Sequence, residues 1–305
     1  MSGTLGNVQT FQATVPLSVQ FESSTDSIRM TAVSISGQPV ALNLQGLPLP
    51  PVIQTSFKAD KGLPDGLELM SLIEVNESIV CPDHSQLEYY ILHPEPQIVY
   101  IPNFVTPEEI SHLIEVTKDS FTPASVYRNG VTDVDSGHRK SENAWPPRDE
   151  VLQCIEQRAR RLQQLDSGLE VEPISVQRYH VDGFFTYHYD QFAAPPNRRN
   201  RRSTFNVFLE GDCTGGGTHF PRIPRPTDPN WCQYIDCEST EPGTIFKPIA
   251  GAAVFWLNTR DNGTGYDETL HAGMPVKSGR KIGMNIWFWK DFRKYFDSAK
   301  DVNTQ

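Results

Sequence analysis

Nine residues near the end of the chain limit its fold more than any others. From Lys281 to Trp289, Ile282, Met284, Ile286 and Phe288 alternate with Gly283, Asn285, Trp287 and Trp289. A period of two sends successive side chains to opposite faces of a strand, so the segment is expected to lay an apolar face on a core. Ile174–Tyr179, Phe184–Asp190, Thr204–Leu209 and Ala252–Leu257 also read as strands, separated by Gly, Pro and Asn.

Helical signals lie upstream. Ile98–Ile101 reads as a strand, and Thr106-Pro107-Glu108-Glu109 then supplies a Thr cap, Pro at the first helical position and Glu three residues after the cap. Ile110, Leu113 and Ile114 follow at helical spacing. A second helix is expected from Asp149 to about Leu165, with Val151, Leu152, Ile155, Ala159 and Leu162 on its apolar side. Helices followed by many short strands predict an α+β domain whose β part is a sandwich or jelly roll. Before Pro94 the chain is polar and Ser/Thr-rich, punctuated by Pro48, Pro50 and Pro51, with alternating runs such as Val15–Phe21. The expected organisation is an N-terminal arm over 1–94, a domain over 95–292 and a tail over 293–305.

A net charge of −10 argues against nucleic acid as a partner. The basic segment Asn197–Arg202 is a local exception, read as a solvated loop or as a recognition element for an anion near the active site. No apolar run approaches the roughly 20 residues of a membrane span. Met1-Ser2-Gly3-Thr4 opens without a basic or apolar leader, and the five cysteines are too few and scattered for a disulfide framework. A soluble cytoplasmic protein without a membrane partner is the expectation, and the oligomeric state stays open. Asn76-Glu77-Ser78 and Asn262-Gly263-Thr264 match glycosylation sequons, which that expectation leaves unused. Cys213, Cys232 and Cys237 share a long loop with His219 but form no Cys-x-x-Cys pair, so a disulfide or free thiols are expected before zinc. Gly215-Gly216-Gly217 reads as a turn, since no Lys-Ser/Thr follows to make a phosphate loop.

Two His-x-Asp triplets carry the chemistry: His180-Val181-Asp182 and His188-Tyr189-Asp190. Residues two apart on a strand share a face, so either triplet could present two ligands to one metal. An iron(II) centre that activates oxygen keeps its protein ligands on one side, and two histidines with one carboxylate meet that need. Both triplets have the same parity, so alternation does not choose between them.

The surrounding residues do. Residues 95–290 resemble the prolyl 4-hydroxylase group of 2-oxoglutarate-dependent oxygenases, especially its fungal members. The resemblance rests on Tyr179, His188 and Asp190, then Arg201-Arg202-Ser203-Thr204, then Gly216-Gly217-Thr218-His219-Phe220-Pro221. His271-Ala272-Gly273 and Lys281, ten residues after His271, complete it. It implies a double-stranded β-helix (jelly-roll) core with supporting N-terminal helices. It selects His188, Asp190 and His271 as ligands of Fe(II), and leaves His180 and Asp182 aside. It further implies 2-oxoglutarate and O2 as co-substrates, with ascorbate as a candidate reductant. Lys281 would meet the distal carboxylate of 2-oxoglutarate, because a carboxylate taken out of water needs a buried cation. Tyr179 and Thr218 match positions that hydrogen-bond the co-substrate.

The resemblance has two departures. Phe185 stands where peptidyl-proline enzymes often carry Tyr, and Trp289 where some plant-type and algal members carry His. With Trp287, these residues suggest an aromatic substrate pocket, to which Arg201 is added as a further candidate. The expected activity is hydroxylation, or related desaturation or cyclisation, of a small amino acid or amino-acid-derived natural product. Secondary metabolism is the expected setting. Peptidyl-prolyl 4-hydroxylation of a protein is the alternative, and an inactive binding module a third reading. The retained Asp190 carboxylate argues against halogenation, which needs a vacated position at that point.

Overall fold

The computed structural model describes residues 75–76, 78–82, 87–128, 131–163, 168–192 and 199–293, and the backbone strands at 11–12, 17–24 and 27–34. Those three strands form a small antiparallel sheet, which includes most of the expected 15–21 run; residues 15 and 16 lie outside the described residues.

Two sheets build the domain. In the larger, antiparallel neighbours run in the order Tyr90–Pro94, Gln97–Ile101, Ala253–Leu257, Arg199–Glu210, Lys281–Asp291, Ser175–Tyr179, Glu142–Ala144 and Thr122–Pro123, with Glu170–Val171 also pairing Lys281–Asp291. The smaller runs Thr244–Phe246, Thr218–Phe220, His271–Gly273, Phe184–His188 and Arg139–Lys140. This is the α+β, jelly-roll arrangement expected from the sequence. Tyr90–Pro94, placed by sequence in the N-terminal arm, is the edge strand of the large sheet.

Alternation sorts the large sheet into two chemistries. Ile282, Met284, Ile286 and Phe288 join Phe205, Val207, Val99 and Ile101 on one face, packed with Leu113, Leu152, Ile155 and Ala159 of the helices. Each of these Val, Leu, Ile, Met and Phe side chains contributes roughly 1.5–3 kcal/mol by leaving water. Ile98, Tyr100, Phe208, Val254 and Trp256 belong to a second core with Phe220 and Phe246 of the small sheet. Thr204, Asn206, Lys281 and Asn285 add polar side chains to the inner positions of the large sheet, beside Trp287 and Trp289.

Two helices cover the outer face. α1 spans Pro107–Thr117, and its capping box forms as expected: Glu109 N donates to Thr106 Oγ1 and Thr106 N to Glu109. α2 spans Glu150–Gln163 and buries Leu152, Ile155 and Ala159. Arg158 of α2 donates to Glu109 of α1 and to Phe104 O, which ties the helices together and to the sheet.

Two sequence expectations are corrected. Cys81 pairs with Cys154 against the expectation, whereas Cys232–Cys237 is the disulfide expected as one option in the long loop, and Cys213 is left as a thiol. Scatter along the chain hid the first pair, because residues 76 and 79 dock on α2 through Gln153 and Gln157 and bring Cys81 beside it. The basic segment is not a loop from Arg199 onward but the start of the Arg199–Glu210 strand. Asn200 fixes it there, exchanging two hydrogen bonds with the backbone of Phe192. Asn197 and Arg198 lie outside the described residues.

Candidate metal centre

His188 ends one strand of the small sheet and His271 begins its antiparallel neighbour, where the two residues are direct partners. Asp190 lies just past the first strand. The ligand atoms of all three fall within 4.8 Å of one another. Asp190 Oδ1 is 3.8 Å from His188 Nε2 and 3.9 Å from His271 Nε2.

Each ring is held from behind. His188 Nδ1 lies 2.7 Å from Thr186 O and His271 Nδ1 lies 2.9 Å from Thr269 O. A carbonyl only accepts, so both Nδ1 atoms carry a proton, and both Nε2 atoms face the carboxylate. Asp190 is oriented by a directional chain. Trp256 Nε1 donates to Asn258 Oδ1, Asn258 Nδ2 to Thr204 Oγ1, and Thr204 Oγ1 to Asp190 Oδ2 at 2.6 Å. Outer hydrogen bonds of this kind fix the geometry and basicity of metal ligands.

Electrostatics agree with this role. Burial first, then His271, pushes His188 down to about 3, so its imidazole is neutral and free to ligate. Burial opposes the charge of Asp190. His271, His188, Arg201 and the Thr204 hydrogen bond outweigh it and hold the carboxyl below its usual range. Two imidazoles and one carboxylate on a single side suit a divalent iron that keeps open positions.

Lys281 enters the same interior. Its ammonium is buried, donates to Gly216 O at 2.7 Å and lies 4.6 Å from the centre of the Tyr179 ring. Among the described residues no carboxylate reaches it, and burial pushes its pKa down to about 8. A buried cation without a counter-charge is costly unless a ligand supplies one. Gly273 lies against this ammonium: a Cβ there would be 3.9 Å from Lys281 Nζ, in ordinary contact. Thr218 is the strand partner of Gly273 and donates to Asn206 Oδ1 at 2.8 Å.

The remaining candidates divide. Phe185 stacks on His188 with ring centres 3.7 Å apart, and Arg139 covers Phe185 at 4.7 Å. Arg139 is buried, and its hydrogen bonds go to Ser141 and Asn143. Arg201 forks onto Glu172 at 2.6 and 2.9 Å, lies 3.9 Å over the Trp287 ring and donates to Asp190 O at 3.3 Å. Trp289 is almost wholly buried and also donates to Glu172. Trp287 Nε1 is buried without a partner among the described residues. His180 stands apart from the cluster, with its side chain 63% exposed and paired to Glu142, and Asp182 occupies a left-handed turn at φ 61°. Among the described residues Cys213 is not grouped with other potential metal ligands.

Sequence reasoning missed Arg139, Glu172, Asn206, Asn258 and Asn285. Asn285 shares the parity of Lys281 in the alternating strand, and Asn206 that of Thr204, so parity could have pointed to both. Glu172 gave no signal, because its partners lie 29 and 117 residues away.

Comparison with known proteins agrees with this geometry. A profile described as the 2OG-Fe(II) oxygenase superfamily matches residues 174–289, which include every ligand. Prolyl 4-hydroxylase 5 of Arabidopsis thaliana is 31% identical over 205 residues, covering 64% of this chain and 68% of that one. Prolyl 4-hydroxylase subunit alpha-3 of Rattus norvegicus is 27% identical over 68% of this chain, which spans only 37% of that protein's length. The viral collagen prolyl hydroxylase from Paramecium Bursaria Chlorella virus-1, solved as a 2OG complex, is 27% identical. It covers 63% of this chain and 95% of its own, with a TM-score of 0.48.

Fold and site define a 2OG-Fe(II) oxygenase. Within that superfamily the chain belongs to the prolyl 4-hydroxylase-like family, and membership together with the His188–Asp190–His271 triad implies Fe(II) and 2-oxoglutarate. The fungal affinity expected from the sequence gains no support from these plant and animal relatives.

Proposed function

We propose that this chain is an Fe(II)- and 2-oxoglutarate-dependent hydroxylase of peptidyl proline. The observation that carries the reading is the buried, uncompensated Lys281 beside a three-ligand face, in a chain whose relatives are prolyl 4-hydroxylases. His188, Asp190 and His271 would hold the iron. Lys281 would neutralise the distal carboxylate of 2-oxoglutarate, with Tyr179 and Thr218 beside it. Once bound, iron and co-substrate supply the oxidising power, consuming O2 and releasing succinate and CO2, with ascorbate as reductant. The chain itself fixes the ligand tautomers, screens the ion pair from water and positions one C–H bond. The two disulfides favour an oxidising compartment over the cytoplasm.

The expected small amino-acid substrate remains the second reading, favoured by one observation. Glu172 neutralises Arg201, whereas Arg139 stays buried among neutral partners and could take a free carboxylate.

An anaerobic absorption titration tests the site. Apoprotein given Fe(II) and then 2-oxoglutarate should develop a visible charge-transfer band, and its absence in folded protein would overturn the reading. Mass spectrometry with a proline-rich peptide and with free amino acids then separates the substrates. A gain of one oxygen on the peptide supports the first reading, and a gain only on a free amino acid replaces it.

A further inference from the structure

The barrel interior beside Lys281 holds a polar chain whose direction decides what Thr218 can do. Thr218 Oγ1 donates to Asn206 Oδ1 at 2.8 Å, and Asn206 Nδ2 donates to Asn285 Oδ1 at 2.9 Å. Asn206 and Asn285 are direct partners on neighbouring strands, and their parity aims them into the barrel. Asn285 shares the strand face of Lys281, four residues on. Thr218 reaches the same place from the small sheet, opposite Gly273. Asn206 and Asn285 are half-buried, and in this chain each amide satisfies the next group along the inner wall.

In this arrangement the Thr218 proton is committed to Asn206. A carboxylate accepts hydrogen bonds and cannot donate them, so Thr218 in this state has nothing to offer an anionic ligand. Each carboxamide, however, has a donor end and an acceptor end of nearly the same shape. If both turn over, Asn285 Nδ2 donates to Asn206 Oδ1 and Asn206 Nδ2 donates to Thr218 Oγ1. The number of bonds within the chain is unchanged, and the Thr218 proton is released.

We propose that Asn206 and Asn285 are positioning residues that form a reversible hydrogen-bond relay. Its reversal turns the Thr218 hydroxyl from Asn206 to the carboxylate that Lys281 neutralises. The proposal rests on the assignment of Lys281 and Thr218 to 2-oxoglutarate, and it adds a mechanism for accommodating the anion. The relay lets the protein keep Thr218 satisfied without ligand and still offer a charge-assisted hydrogen bond when ligand arrives.

Asn285→Asp tests the direction of the chain. The carboxylate this substitution introduces cannot donate, so it holds Asn206 Nδ2 towards itself and leaves Asn206 Oδ1 to capture the Thr218 proton. The probe is 2-oxoglutarate, titrated by calorimetry into anaerobic Mn(II)-loaded protein, with Mn(II) affinity measured separately. Thr218→Val should weaken 2-oxoglutarate by roughly 10- to 100-fold, the loss of one hydrogen bond to a charged group. Asn285→Asp should weaken it by at least about 10-fold while Mn(II) affinity stays unchanged.

The double variant decides between routes. If Asn285 acts through Thr218, adding Asn285→Asp to Thr218→Val costs little more than Thr218→Val alone. If the new carboxylate merely repels the ligand, the two losses multiply and the relay is overturned. An unchanged 2-oxoglutarate affinity in folded Asn285→Asp overturns it too. Failure of wild-type protein to bind 2-oxoglutarate sinks the assignment on which the relay rests, and that outcome is distinct from tight binding by every variant.

Discussion

His180-Val181-Asp182 and His188-Tyr189-Asp190 repeat one pattern eight residues apart, with opposite fates. The first follows the Ser175–Tyr179 strand into a turn, where His180 points to solvent and pairs with Glu142. The second closes a strand whose partner delivers His271, and behind it Trp256, Asn258 and Thr204 aim one oxygen of Asp190. Both triplets carry the same two ligand types. What differs is a third ligand, burial and a supporting hydrogen-bond chain, so the comparison teaches that enclosure rather than the triplet makes a metal site.

The sharpest way to break that comparison is His188→Ala. Metal affinity should fall by more than roughly 100-fold, because even outer-sphere changes cost 10- to 100-fold. Equilibrium dialysis with Mn(II) or anaerobic Fe(II) measures it, and near-wild-type binding would remove His188 from the centre.

Lys281→Met should abolish 2-oxoglutarate binding in the same assay while raising the denaturation midpoint at pH 7. The sign follows from linkage. With its folded pKa depressed to about 8, Lys281 binds fewer protons folded than unfolded between about 8 and the ordinary 10.5. Stability therefore rises with pH across that window, and below it the buried charge costs about 3 kcal/mol that Met removes. In wild type, 2-oxoglutarate affinity should decline as pH climbs past about 8. Titrations at about pH 7 and about pH 9, either side of that value, check this, and equal affinities would deny Lys281 the charge-pairing role.

Glu172→Ala tests the inner wall that anchors Arg201. It strips Arg201 and Trp289 of a shared buried acceptor, so stability should drop by about 3 kcal/mol in urea unfolding. Thr204→Val is milder, removing the donor to Asp190 and weakening the metal roughly 10-fold. His180→Ala should be the smallest change, within about 0.5 kcal/mol in stability and without effect on metal binding.

Much of this was legible in the chain. The Thr106 capping box, the apolar stripe of α2 and the alternation from Lys281 to Trp289 are local patterns, and each forms where expected. The ligand triad was legible through its ordered matches to a known family rather than through the triplet alone. The substrate expectation fared less well, because Phe185 and Trp289 were judged as isolated replacements. Trp289 is engaged with Glu172, a partner 117 residues away that no local pattern announces.

By itself the sequence determined which face of each strand is apolar, where the helices begin and which residue types could bind a metal, because those depend on neighbours within a turn or a pleat. Tertiary structure alone decided that Cys81 meets Cys154, that Arg201 is spent on Glu172 and that Thr218, Asn206 and Asn285 form one chain. These contacts depend on strand order and register across long separations, and a shift of one residue would turn every inner side chain outward.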